Sequence, residues 1–180
     1  MGELVLASRS PQRRAILEQL GIPFRAQAPD VEELSEGDPR ELVLENARRK
    51  AAAVPGDPVL GVDTAVVIDG RAYGKPAHRA EAEAVLRRLA GRDHEVLSAI
   101  ALSGDRTAVA ATRVWFRDLD EALLSWYLDT GEWRDRAGGY AIQGRGAALV
   151  ERIEGDYLNV VGLPAATLLD IAPELLDTAP

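Results

Sequence analysis

Residues 4–8 form an apolar run that stops at Ser8-Arg9-Ser10-Pro11, and a stripe of Ile16, Leu17 and Leu20 follows as far as Gly21. The run predicts a buried strand. Ser10 as cap and Pro11 as first residue predict a helix over the stripe, with Gly21 as its stop. Asp38-Pro39-Arg40-Glu41 repeats the start signal with an acidic cap and a glutamate three residues on. Leu42, Val43, Ala47 and Ala51 continue it as a second helix that carries Arg48, Arg49 and Lys50. Residues 59–73 are strand-like around an Asp69-Gly70 turn, which predicts a hairpin. A third helix fits 79–90, with Ala82, Val85, Leu86 and Leu89 inward and Gly91 as stop. Strand patterns at 94–102 and 107–116 precede a helix near 120–130 that ends at Gly131. Residues 136–147, RAGGYAIQGRGA, read as a glycine-rich loop, 148–162 as a hairpin around Glu154-Gly155-Asp156, and 164–171 as a last helix. Crossovers and hairpins together predict an α/β fold with a mixed sheet covered by helices.

Composition narrows the class. The 180 residues suit one domain, and nearly half are apolar, as in a globular protein. A net charge of −8 argues against a coat for DNA or RNA, which needs a basic face, but leaves room for one cationic pocket. There is no cysteine, so disulfides, thiolate metal sites and cysteine nucleophiles are excluded together. No apolar run approaches the ~20 residues of a membrane span, and the first residues lack an export pattern, so a cytoplasmic protein is expected.

Against that acidic background the opening stretch stands out. Where a strand hands over to a helix, free backbone N–H groups and the helix dipole favour an anion. Ser8 and Ser10 add hydroxyls there, and Arg9, Arg13 and Arg14 add forked donors. The bland alternative is a solvated first turn. A Walker-type loop and a Gly-x-Ser-x-Gly elbow are both absent. Asp63 stands alone in the apolar run Val59 to Ile68, where a carboxylate must be paired or hold a cation. A salt bridge to Lys75 or to an arginine is the alternative there. Glu32 and Glu33 make a second acidic point in a turn-like stretch, and two such points with phosphate oxygens and water suit Mg²⁺. Neither His78 nor His94 has metal-ligand spacing; they read as helix-start and strand-edge residues.

Four blocks, LVLASRSPQRRAILEQLGIPF, GVDTAVVIDGRAYGKP, LRRLAGRDHEV and AGGYAIQGRGAALVERIEGDYLNVVGLP, resemble in order the signature blocks of the Maf proteins, nucleoside triphosphate pyrophosphatases once described as septum-formation inhibitors. The resemblance covers residues 4 to about 172. It implies a two-lobed α/β fold like that of the inosine triphosphate pyrophosphatases, with a nucleotide in the cleft between lobes of a single domain, 1–180. It implies anion binding by Ser8 and Arg13, an acidic residue at Glu33 with Glu32 beside it, lysines at Lys50 and Lys75, and an essential acid at Asp63. In the thymidine/uridine branch, base choice falls on the positions of Thr64 and Gln143. Gln12 departs from that branch, which commonly has arginine after the Ser-Pro, and this bears on the substrate rather than on the reaction.

The implied reaction is hydrolysis of dTTP or UTP to the monophosphate and pyrophosphate. Mg²⁺ or Mn²⁺ would lie between Glu33, Asp63 and phosphate oxygens, with Asp63 also the candidate base. Other outcomes share part of this pattern: a pyrophosphatase for another or modified nucleotide, a phosphatase for the terminal phosphate, or a non-catalytic nucleotide-binding regulator of cell division. Family members are often homodimers, although no feature of this sequence demands one.

Overall fold

The computed structural model describes residues 2–103 and 105–178. In chain order the elements are β1 (Leu4–Ala7), α1 (Pro11–Gln19), β2 (Phe24–Gln27), α2 (Pro39–Ala52), β3 (Val59–Ile68), β4 (Arg71–Tyr73), α3 (Arg79–Leu89), β5 (Asp93–Leu102), β6 (Arg106–Phe116), α4 (Glu121–Thr130), β7 (Val150–Glu154), α5 (Tyr157–Val161) and α6 (Ala165–Ile171). Short 3₁₀ turns occupy Ala137–Gly139, Arg145–Leu149 and Pro173–Thr178. The seven strands form one mixed sheet in the order β2-β1-β3-β5-β6-β7, with β4 on β3. β1 runs parallel to β2 and β3, and the remaining pairs are antiparallel.

The local signals act as the pattern predicts at most positions. Ser10, Asp38, His78 and Asp120 cap α1 to α4 with their side chains. Asp69 and Gly70 both take positive φ, 52° and 72°, as a tight hairpin turn requires. One expectation needs correction. Beyond β7 the chain does not return as a strand: Asp156 accepts from the Leu158 amide and caps α5. Tyr157-Leu158-Asn159-Val160-Val161 has strand-like composition, but the buried Asn159 amide donates to the Val96 carbonyl and to Thr112 Oγ1, which holds this turn onto the sheet. β2 is an edge strand that the pattern does not announce.

β3 organises the molecule. β5 pairs with one side of it over residues 60–67. On the other side β1 pairs with residues 59–61 and β4 with residues 66–68, so residues 62–65 face a notch between two partner strands. Alternation sends successive side chains to opposite faces. On one face Leu60 and Val62 join a core with Leu6, Leu17, Ile100 and Leu168, while Val66 and Ile68 join another with Leu86, Phe116 and Tyr127. Thr64 lies between these cores. Its neighbours Ser98, Asn159 and Thr112 continue a buried polar seam across the sheet. Thr64 and Ser98 hydroxyls are 2.9 Å apart, Ser98 Oγ donates to the Asn159 carbonyl, and Asn159 donates to Thr112. On the opposite face Ala65 packs under α2 with Leu42, Val43, Ala47, Leu97 and Ala99.

Candidate active site

The notch opens into a cleft of about 950 Å³. Asp63 enters it from the α2 face of β3. α2 lies unusually close there, because Gly61 has no side chain: a Cβ at that position would stand 2.1 Å from the Ala47 carbonyl oxygen. Asn46 and Lys50, one turn apart on α2, therefore reach the same carboxylate. Lys50 Nζ is 2.6 Å from Asp63 Oδ1, and Asn46 Nδ2 donates to Oδ2 at 3.1 Å. The same ammonium pairs with Glu33 Oε2 at 3.0 Å. Asp63 and Lys50 side chains are 9% and 8% exposed, so each depends on the other for compensation, whereas Glu33 is half in solvent.

Arg13 reaches the notch from the opposite face. Its guanidinium donates from Nε to the Gly162 carbonyl at 2.9 Å, from one terminal nitrogen to Ser8 Oγ at 3.2 Å, and from the other to Thr64 Oγ1 at 3.2 Å. All three acceptors are neutral. Burial lowers the pKa of Arg13 from its ordinary value, and the nearby charges of Asp63 and Glu33 oppose that shift. Three of five donors are used in fixing the fork, which leaves a held cation with donors to spare for an anionic ligand.

Residues 3–175 match the family described as Maf-like protein. The chain belongs to the Maf family. Curated relatives agree over nearly their whole length. A dTTP/UTP pyrophosphatase of Symbiobacterium thermophilum is 53% identical over 91% of this chain and 89% of its own. One of Anaeromyxobacter dehalogenans is 49% identical over the same shares, and one of Pyrococcus furiosus is 42% identical over 95% and 94%. Among solved structures, a nucleoside-triphosphatase (dITP/XTP pyrophosphatase) of Mycobacterium abscessus aligns with 66% of this chain and 76% of its own, at 20% identity and a TM-score of 0.42.

In this Maf chain the cleft is lined by Ser10, Gln12, Arg13, Glu33, Lys50, Asp63, Thr64, Lys75 and Gln143. Ser8 is buried behind Arg13, and its hydroxyl accepts from Arg13 and from the Ser10 amide, both of which line the cleft. Ser10 caps α1 and donates from its hydroxyl to Gln12 Oε1 at 3.0 Å. Gln12 and Gln143 stand where the cleft meets a side groove of about 490 Å³. Lys75 is exposed on the far wall and has no ion-pair partner among the described residues. Glu32 does not line the cleft; Arg49 approaches its backbone carbonyl at 3.5 Å. The ion-pair partner of the Asp63 carboxylate is Lys50, not Lys75 or an arginine. Arg9 lines the cleft and Arg14 does not. Arg13→Ala should therefore weaken nucleotide hydrolysis about tenfold or more, the worth of a charged hydrogen bond, and Arg14→Ala should change it little. Steady-state kinetics on the two variants provide the check, and equal losses would remove Arg13 from its special place.

Asn46 lines this cleft, and Ser98 and Asn159 support it from behind Thr64, although the sequence pattern does not single them out. Asn46 sits in ENARRK, a run with the look of a solvated helix face, and only its spacing of four from Lys50 hints otherwise.

His94 is not a strand-edge residue but a buried one. Its Nε2 lies 2.8 Å from the Tyr140 hydroxyl, and the Phe116 ring packs edge-on at 5.0 Å. Burial pushes its pKa down to about 4, against a smaller opposing effect of Asp93. The unfolded chain therefore binds the proton first as pH falls. Stability from the neutral ring is complete above the unfolded value near 6.5 and declines down to about pH 4, by roughly 3 kcal/mol. Urea unfolding at pH 7, 5.5 and 4.5 should show this decline, and His94→Leu should flatten it. An equally steep decline in the variant would assign it to other groups.

Proposed function

We propose that this protein hydrolyses pyrimidine nucleoside triphosphates, dTTP and UTP foremost, to the monophosphate and pyrophosphate, as a cytoplasmic housekeeper of the nucleotide pool. The chain acts as one domain, 1–180, with a hydrophobic core to either side of the cleft. The observation that carries the reading is the meeting of Asp63, Lys50 and Glu33 with the fixed Arg13 in that cleft, in a chain 53% identical to a protein named dTTP/UTP pyrophosphatase.

The cleft is of the size that takes a nucleotide. Arg13, Lys50 and Lys75 offset the charge of the triphosphate and of the pyrophosphate as it leaves. Water attacks the α-phosphorus as the bond to the α–β bridging oxygen breaks, and Asp63 takes the proton of that water. Lys50 and Asn46 hold the Asp63 carboxylate in place, and each of its oxygens keeps a further lone pair for the water. The donor chemistry fits a hard divalent cation: two carboxylates, of Glu33 and Asp63, converge on a single positive centre, the Lys50 ammonium. Among the described residues no three His, Cys, Asp or Glu side chains gather as a metal cage, so phosphate oxygens and water would complete the shell, as Mg²⁺ prefers. Mg²⁺ or Mn²⁺ held by Glu33 and Asp63 would supply neutralisation of phosphate charge.

Gln143 offers a carbonyl and an amide to the Watson–Crick edge of thymine or uracil, which presents a donor between two carbonyls. Gln12 stands beside it at the mouth of the side groove. Pyrophosphate and orthophosphate release from dTTP, UTP, CTP, ATP and GTP with Mg²⁺ is the test. Pyrophosphate should appear first, fastest from dTTP and UTP, more slowly from CTP and slowest from the purines. Orthophosphate first would overturn the reaction, and a purine preference would overturn the base assignment.

A further inference from the structure

The Asn46 amide is fully engaged. Nδ2 donates to the Leu34 carbonyl at 3.0 Å and to Asp63 Oδ2 at 3.1 Å, while Oδ1 accepts from the Leu34 amide at 2.7 Å. Turned over, the amide would aim its oxygen at two acceptors and its donors at an N–H, so only one orientation satisfies the group. Asn46 is 1% exposed. Leu34 follows Glu33 in a segment, residues 28–37, without helix or strand. Its own side chain is exposed and contributes little anchoring. Among the described residues, the segment's other polar ties to α2 are the half-exposed Glu33–Lys50 pair and the Arg49 contact with the Glu32 carbonyl at 3.5 Å. One amide thus grips both the backbone that carries Glu33 and the carboxylate of Asp63.

We propose that Asn46 is a positioning residue that sets the spacing between Glu33 and Asp63 around Lys50, and so the geometry in which water is activated. This rests on the proposed hydrolysis for its kinetic consequence, but not for its structural one. Two variants separate the two grips. Asn46→Ala removes both. Asn46→Asp keeps an acceptor for the Leu34 amide but loses the donors to the Leu34 carbonyl and to Asp63, and sets a like charge beside Asp63.

The experiment combines amide hydrogen exchange over residues 28–37 with kcat and KM for dTTP, on variants whose thermal melts show them folded. In Asn46→Ala exchange at Leu34 should quicken at least about tenfold, and kcat should fall by about tenfold to 10²-fold while KM moves less than about threefold. In Asn46→Asp the Leu34 amide should stay protected and kcat should still fall. Adding Asn46→Ala to Glu33→Gln should cost less than Asn46→Ala costs the wild type, because the share of the loss that comes from misplacing Glu33 is already gone while the share from Asp63 remains. Unchanged exchange in Asn46→Ala, a kcat of wild-type size in Asn46→Asp, or full multiplication of the two losses would each overturn the proposal. A wild-type protein that releases no pyrophosphate from any nucleotide would instead overturn the proposed function. The exchange difference between Asn46→Ala and Asn46→Asp would then decide the role of Asn46 by itself, confirming it if present and refuting it if absent.

Discussion

Replacing Asp63 by asparagine should lower turnover by at least about 10²-fold, the lower range for loss of a general base. The change keeps the shape of the side chain but cannot keep its bonds. Asp63 receives Lys50 on one oxygen and Asn46 on the other, and both are donors. Asparagine has one oxygen, so in either orientation its own NH₂ faces a donor. A buried donor left in that state costs about 1–3 kcal/mol, a drop of a few degrees up to roughly 10 °C in Tm for a chain of this size. Pyrophosphate release at saturating dTTP and Mg²⁺, read well below the melting transition, separates the two effects. Activity within a few-fold of wild type would remove Asp63 from the chemistry and leave it a structural ion pair.

Gly61→Ala should damage both stability and activity from a position outside the lining of the cleft. The new Cβ would meet the Ala47 carbonyl at 2.1 Å, the Ala51 nitrogen at 2.7 Å and the Ala51 Cβ at 3.0 Å. These are helix atoms, two of them backbone, so α2 as a whole must move. Overpacking of this kind costs about 1–3 kcal/mol. The same movement draws Lys50 and Asn46 away from Asp63, and a displacement near 1 Å can cost about 10²-fold in rate. At Gly74 a Cβ meets nothing within 4 Å and φ is not positive, so Gly74→Ala is the control for stability. Melting curves and dTTP kinetics on the pair test the idea. A Gly61→Ala protein with wild-type melting would show that α2 yields without strain.

Much of this arrangement is legible in the chain because some residues contradict their surroundings. A single carboxylate in ten strand residues singles out Asp63, and Ser10-Pro11 ahead of arginines marks a capped helix beside the proposed anion site. Capping residues act locally, so helix starts are readable: the helix expected at 79–90 spans Arg79–Leu89. What escapes is decided by tertiary contact. Nothing in the spacing chooses Lys50 over Lys75 as the partner of Asp63; the closeness of α2 to β3 does, and Gly61 sets that closeness. Tyr157 to Val161 favours a strand by composition, yet the Asp156 cap and the buried Asn159 turn it into a helix. Asn46 and Ser98 look like ordinary polar residues until their partners from distant segments are in place.

Asp63 and Thr64 are neighbours in sequence but serve opposite faces of β3, one meeting Lys50 and the other Arg13. Their assignment depends on parity. If one residue were inserted or deleted between Val59 and Val62 and the strand beyond it slid by one against β5, the acid would turn toward the arginine and the hydroxyl toward the lysine. Length in this stretch is therefore constrained as tightly as the identity of Gly61. Val62 can exchange with another apolar residue and leave both faces intact, whereas a single-codon indel there would rewire the charges of the whole cleft.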